Sequence, residues 1–276
     1  MKSLARDRIW VRAAAQVLFF TLIALIAINH VLEESGVAIP LLSNASLHAV
    51  CPFGGVVSLY QFAVVGTFTE KIHQSSFILM ILVFILAFLF GSVFCGWVCP
   101  LGSVQEWVGK VGKRLFKKRY NHFIPSRIDR YLRYLRYIML AWVIYATAMT
   151  GKLAFSDIDP YYALFNFWTG EVAVTGLAVL GLTLLASLAV ERPWCKYACP
   201  YGAVLGITNL FSVFAVRRRE STCKSCDLCT RDCPMNIPVH AVGVVRDHQC
   251  IGCLVCTSEG ICPVEDTVVF ATRGGR

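Results

Sequence analysis

Two runs of cysteine constrain this chain more than any other feature. The first reads Cys223-Lys-Ser-Cys226-Asp-Leu-Cys229-Thr-Arg-Asp-Cys233-Pro234. The second reads Cys250-Ile-Gly-Cys253-Leu-Val-Cys256-Thr-Ser-Glu-Gly-Ile-Cys262-Pro263, and sixteen residues separate Cys233 from Cys250. Each run places three cysteines on one tight loop and a fourth on the arm that follows. Thiolates are soft ligands, and four converging in this way suit zinc or iron–sulfur chemistry. Such a segment must organise itself around what it binds.

The first run has the spacing C-x2-C-x2-C-x3-C-P of two-cluster ferredoxins, in which the fourth cysteine of each run ligates the other cluster. The second differs only in having five residues before its last cysteine. The expected sets are therefore Cys223, Cys226, Cys229 and Cys262 on one [4Fe–4S] cluster, and Cys250, Cys253, Cys256 and Cys233 on the other. A pair of zinc sites is the competing reading, but zinc ribbons rarely carry this three-plus-one arrangement with Pro after the fourth Cys. Disulfides do not fit a segment expected to face a reducing cytoplasm.

The rest of the chain is apolar. Hydrophobic residues make up 57% of the sequence and mean hydropathy is +0.61, where soluble domains run at about 45–50%. Apolar stretches over residues 13–32, 77–98, 131–150 and 172–190 are each about long enough to cross a bilayer, and all but 131–150, which has Arg133 and Arg136 in its first turns, carry no charge. Residues 35–69 carry no charge either, but Pro40, Pro52, Gly54 and Gly55 break them. A re-entrant segment near residues 47–68 is the expectation there, with a buried outer loop as the alternative. Arg133 and Arg136 are expected to snorkel to headgroups. The net charge of +9 flanks apolar stretches and covers no soluble face, which argues against nucleic acid. Lys and Arg number four in residues 1–12, ten in 101–136 and five in 191–219, against one each in 31–75 and 151–170. By the positive-inside rule this distribution predicts cytoplasmic termini.

The expected fold is an all-α membrane protein. A four-transmembrane-helix domain with an internal repeat would cover residues 1–219. A small C-terminal α+β domain carrying two [4Fe–4S] clusters would cover 220–276. The repeat is C-x3-C-P-x-G, at Cys95 and Cys99 and again at Cys195 and Cys199, spaced by 100 residues. A partial echo, C-P-x-G, stands at Cys51. Each Cys-Pro reads as N-cap and N1 of a helix, where the dipole favours thiolate. Cys95, Cys99, Cys195 and Cys199 would hold an additional iron–sulfur centre, with Cys51 approaching from the re-entrant segment. The competing reading is that cysteine closes two helix ends as a small buried residue.

With repeat and cysteine runs together, the chain resembles the membrane-bound ferredoxin-type proteins of the NapH kind. The membrane parts of NosR and CcoG share the repeat. The matching positions are Cys95, Cys99-Pro100, Cys195, Cys199-Pro200 and the eight C-terminal cysteines; Cys51-Pro-Phe-Gly-Gly departs from that pattern. The resemblance implies a quinol dehydrogenase subunit of a bacterial inner membrane. It would pass electrons between the quinone pool and cytoplasmic clusters, with other redox subunits as partners. The direction of flow stays open, because cluster potentials span a wide range. An assembly or regulatory factor supplying electrons for metalloenzyme maturation is the alternative. Quinol oxidation sheds protons, and His48, Asp157 and Asp159 are the few titratable groups of the outer half. They are the expected quinol site.

Overall fold

The structure is a computed structural model that describes residues 2–34, 74–150, 155, 157–167 and 172–273. Helix α1 (Lys2–Glu34) contains the stretch Ile9–Asn29, long and apolar enough to cross a membrane. Arg12, Gln16, Phe20, Ile23 and Ala27 recur every three or four residues and so share one helix face. Four of them are buried, and Phe20 meets the Trp107 ring edge-on at 5.3 Å. Ile23 and Ala27 pack with Phe165. The opposite face, including Leu18, Leu22 and Leu25, is exposed.

Next come α2 (Gln74–Phe90), α3 (Val93–Trp97), α4 (Pro100–Phe116), α5 (Ser126–Leu132) and α6 (Leu135–Thr150). They are followed by α7 (Pro160–Asn166), α8 (Val174–Ser187), a π-helical turn (Trp194–Ala198) and α9 (Pro200–Phe211). Helix α9 packs on α2 and α6, and α4 packs on α1 and α8. Their shared core contains Val83, Leu101, Val143, Leu180, Trp194 and Leu205.

The four-transmembrane-helix expectation is corrected. Among the described residues, α1 is the one helix long and apolar enough to span a bilayer. Helices α2, α6 and α8 have 17, 16 and 14 residues. At ~1.5 Å per residue they reach about 21–26 Å, short of the ~30 Å hydrocarbon core. The reasons are local. The 77–98 stretch stops at Gly91, which turns to φ 76°. The Ser92 amide then donates to Asn209 Oδ1 at 2.8 Å, and its hydroxyl donates to the Leu205 carbonyl at 2.8 Å. The 131–150 stretch breaks after Leu132, where Arg133 pairs with Asp129 and donates to the Asn236 carbonyl at 3.0 Å. The 172–190 stretch ends its helix at Ser187, and the Ala189 carbonyl accepts from the Asn121 amide.

The snorkelling expectation is corrected with it. Arg133 and Arg136 are only 9% and 2% exposed. Arg136 donates to the His248 carbonyl at 2.7 Å, so it clamps the C-terminal region.

Strands β1 (Phe214–Arg218) and β2 (Val268–Thr272) pair antiparallel, with Phe214 opposite Thr272 and Arg218 opposite Val268. The loops between them fold over a second core of Val216, Met235, Ile237, Val239, Val245, Ile251 and Val268. Phe90 at the end of α2 stacks on Phe214 at 5.2 Å, which ties the helices to this ribbon.

Candidate functional site

The two cysteine runs adopt the same local geometry. Ser225 and Asp227 flank Cys226 with φ of 53° and 59°; Gly252 and Leu254 flank Cys253 with φ of 60° and 57°. A left-handed residue on each side of the middle cysteine curls its loop, bringing the three sulfurs toward one centre. Only at position 252 is this residue glycine, and a Cβ there would stand 2.7 Å from a Val93 side-chain carbon.

Two cavities result. Cys223, Cys226, Cys229 and Cys262 line one. Cys233, Cys250, Cys253 and Cys256 line the other. Each loop of three thus meets the fourth cysteine of the other run. Among the described residues, no three Cys, His, Asp or Glu side chains converge tightly enough to hold a single metal ion. The sulfurs ring a space instead, which fits a polynuclear cluster better than one zinc ion.

The second cavity is the drier. Burial pushes the Cys233 and Cys250 thiols up to about 12, with the neighbouring Cys253 adding to both. Burial and then Cys253, Cys233 and Cys250 push Cys256 well up. Four buried thiols around one space cannot ionise together unless a cation core takes the place of their protons. Backbone amides already point at these sulfurs, from Gly252 to Cys250 and from Ile237 and Met235 to Cys233. Such hydrogen bonds are a known lever on cluster potential. Donor set, dryness and amide direction therefore fit an iron–sulfur cluster.

The C-x3-C-P repeats are alike in structure. Cys99 and Cys199 are N-caps with Pro at N1, at φ/ψ of −63°/114° and −69°/112°. The Gly202 amide donates to Cys199 Sγ at 3.2 Å. The four repeat thiols lie close enough to oppose one another's ionisation. Burial raises Cys199, and the charges of Cys195, Cys95 and Cys99 add to it. Burial and the neighbouring thiols therefore oppose the thiolate that the helix dipole favours at Cys199. Gln105 reaches Cys195 Sγ at 3.5 Å while accepting from the Trp194 amide.

The first repeat leans directly on the second cavity. Trp97 Nε1 donates to the Gly252 carbonyl at 3.0 Å. A Cβ on Gly96 would stand 2.4 Å from the Ile251 carbonyl and 3.4 Å from Cys253. From the other repeat side, Asn209 donates to the Cys250 carbonyl at 2.6 Å, and Gln249 donates to the Lys196 carbonyl at 3.2 Å.

A buried charge network supports this contact. The Glu106 carboxylate accepts from Arg12, from Arg192 at 2.6 Å and from Gln16 at 3.2 Å. Arg192, fully buried, also donates to the Cys95 carbonyl at 2.5 Å. Reasoning from sequence missed these residues. The available signal was charge beside apolar helices, which by default marks a functional position. Of the expected quinol-site residues, Asp159 caps α7 by accepting from the Tyr161 amide at 3.0 Å, and Asp157 is exposed. Burial pushes the Asp159 carboxyl up to about 7. His48, Cys51 and the 47–68 segment lie outside the described residues.

A family model described as a 4Fe-4S binding domain matches residues 72–119 and 172–219, so each match contains one C-x3-C-P repeat. YccM of Escherichia coli, named as a candidate electron transport protein, is 31% identical over 229 residues, covering 80% of this chain and 62% of YccM. The chain thus spans less than two thirds of that relative. The uncharacterized protein MJ0750 of Methanocaldococcus jannaschii is 31% identical, over 65% of this chain and 73% of MJ0750. The ferredoxin-type protein NapH of Haemophilus influenzae is 28% identical, over 70% of this chain and 67% of NapH. No solved structure matches. Matches and cysteine geometry together define a 4Fe–4S-binding protein. Within that class, the chain belongs to the NapH-like family of ferredoxin-type iron–sulfur proteins.

Proposed function

We propose that this protein is a membrane-associated electron carrier that exchanges electrons between the quinone pool and two [4Fe–4S] clusters. The observation that carries the reading is the crossed lining of the two cavities by the cysteine runs. Cys223, Cys226, Cys229 and Cys262 would hold one cluster; Cys250, Cys253, Cys256 and Cys233 the other. Each cluster supplies reversible one-electron chemistry. The protein's part is to exclude water from the second set, to aim amides at its sulfurs and to hold both loops against the helices.

Convergence of Cys95, Cys99, Cys195 and Cys199 supports an additional iron–sulfur centre, and the family-model matches fall on the same two repeats. Helix α1 is the membrane element of this reading. Lys110, Arg114, Lys117, Lys118, Arg119, Arg127 and Arg130 are all exposed, which supports a cytoplasmic orientation of that face. Other redox subunits are the expected partners, since electrons must enter or leave the exposed first cluster loop, where Cys226 is solvent-accessible.

The test is anaerobic purification of the full chain with iron and sulfide quantitation, EPR and reduction by a short-chain quinol. Two clusters require about eight irons per chain. Iron beyond that, lost on Cys99→Ala or Cys199→Ala, supports the additional centre. Clusters present but inert to quinols of every potential would refute the quinone reading and leave the iron–sulfur reading intact.

A further inference from the structure

A cavity of about 280 Å³ lies between the start of α1 and the middle of α4, with Cys253 in its wall. Ligand pockets run from ~300 Å³ upward, so this one suits a single ring system. Ile9, the first residue of the membrane-length stretch, stands at its rim. A ligand dissolved in lipid could therefore enter beside α1 without crossing water.

The chemistry of the wall is mixed. The Arg12–Glu106 pair and Gln16 close one side. Lys110 and Glu191 also line the space, and neither makes an ion pair among the described residues. Burial, followed by the nearby Glu106 charge, raises the Glu191 carboxyl and makes it a willing proton acceptor. Tyr120 packs its buried ring there.

We propose that this cavity binds the head group of a quinone or quinol, a ring with two opposed oxygens. Lys110 would donate to one oxygen, and Glu191 would receive the hydroxyl proton of the other. The proposal rests on the electron-transfer reading above and names its substrate site. Oxidation of one quinol breaks two O–H bonds and forms two C=O bonds. Cys250, Cys253, Cys256 and Cys233 would hold the iron–sulfur cluster that supplies the one-electron acceptor for both electrons. One proton goes to Glu191 and the other passes through the open mouth to water. The position leaves little distance for the electrons to cross, because the cluster-ligand candidate Cys253 forms part of the wall. Asp159, in contrast, already spends its carboxylate on capping α7.

The experiment uses the full chain in detergent, with equilibrium dialysis of a short-chain naphthoquinone and stopped-flow reduction of the protein's iron–sulfur absorbance by the corresponding naphthoquinol. Ala13 lines the cavity and carries no charge, so Ala13→Phe fills the space. It should weaken naphthoquinone binding at least tenfold while iron content and the dithionite-reduced EPR spectrum stay as in the parent. Glu191→Gln should keep binding within a few-fold and slow reduction by the quinol tenfold or more. Unchanged binding in Ala13→Phe together with unchanged rate in Glu191→Gln would overturn the site. If Asp159→Asn then abolished reduction, the quinone reading would survive with its site elsewhere. Absence of naphthoquinone binding to the parent protein would overturn site and reading together.

Discussion

Glu106 holds two arginines with one carboxylate. Burial alone would raise its pKa, but Arg192 and Arg12 more than offset that and hold it at about 2. Breaking such a buried group by removing one partner costs about 3–5 kcal/mol, because uncompensated charge stays behind. Glu106→Ala is expected to lose that much in denaturant unfolding of the detergent-solubilised protein. A loss under about 1 kcal/mol would mean that water reaches the arginines. Asp129 is the second such centre. It accepts from Tyr197 at 2.5 Å and pairs with Lys196 at 2.7 Å and with Arg133. Burial opposes its charge, yet Lys196, Tyr197 and Arg133 draw its pKa below the usual carboxylate value. Lys196 does not gain likewise, since its own burial outweighs its share of Asp129 and lowers its pKa. For Asp129 the folded pKa is below the unfolded value of ~3.9. Its contribution is therefore complete above that value and is lost as pH falls through the folded pKa. Asp129→Asn should lower stability at neutral pH and flatten its dependence on pH on the acid side, as followed by Tm from pH 3 to 7. The signs of these charges were legible in the sequence, but their partners were not. Arg192 and Lys196 counted there as positive-inside residues, whereas each is nearly or fully buried against a carboxylate, 86 and 67 residues away in the chain respectively.

At the scale of elements, the repeat was legible because Cys-Pro carries its own local physics. Proline at N1 starts a helix and the cysteine before it becomes the cap, and both copies do this with nearly equal dihedrals. The copies differ at all three positions between their cysteines, and the first of these meets a different partner in each. Gly96 and Lys196 are equivalent in C-x3-C, and they do opposite things. Gly96 lets the Ile251–Cys253 backbone approach, whereas Lys196 turns to Asp129. Gly96→Ala should therefore displace the second cysteine loop, because a carbonyl 2.4 Å from the new Cβ cannot stay in place. The expected cost is about 1–3 kcal/mol, as for overpacking elsewhere. The EPR signal of the Cys250 set should shift while that of the Cys223 set stays. Equal shifts in both would show that the repeat does not address one cluster. Helix lengths were less legible. Apolar runs over 77–98 and 131–150 continue past Gly91 and Arg133, where the chain turns, because hydropathy does not report a positive φ or a salt bridge made to a residue four positions away.

Across the whole molecule, the two cysteine runs hold each other. Cys233 leaves the first loop and completes the wall of the second cavity; Cys262 leaves the second loop and completes the first. Spacing suggested this exchange, since C-x2-C-x2-C-x3-C-P is the pattern of two-cluster ferredoxins, in which the fourth cysteine of each run ligates the other cluster. Spacing could not show that the helices also hold the second loop, through Trp97, Asn209 and Arg136. The two cavities should therefore respond differently to loss of a ligand. Cys233 is 8% exposed in the drier of the two. Cys233→Ala should remove about four of about eight irons, together with the EPR signal assigned to Cys250, Cys253 and Cys256. The loop itself should stay in place because the helices still hold it. Cys262→Ala strips the first cavity, whose Cys226 is exposed and whose loop lacks those helical contacts. That variant should lose iron and also expose residues 223–233 to limited proteolysis, while Cys233→Ala leaves 250–256 protected. If Cys233→Ala instead removed the signal of its own loop, each run would serve a separate cluster. The chain would then be two independent modules with no shared support, and the contact of the first repeat with Cys253 would carry no electrons to the other.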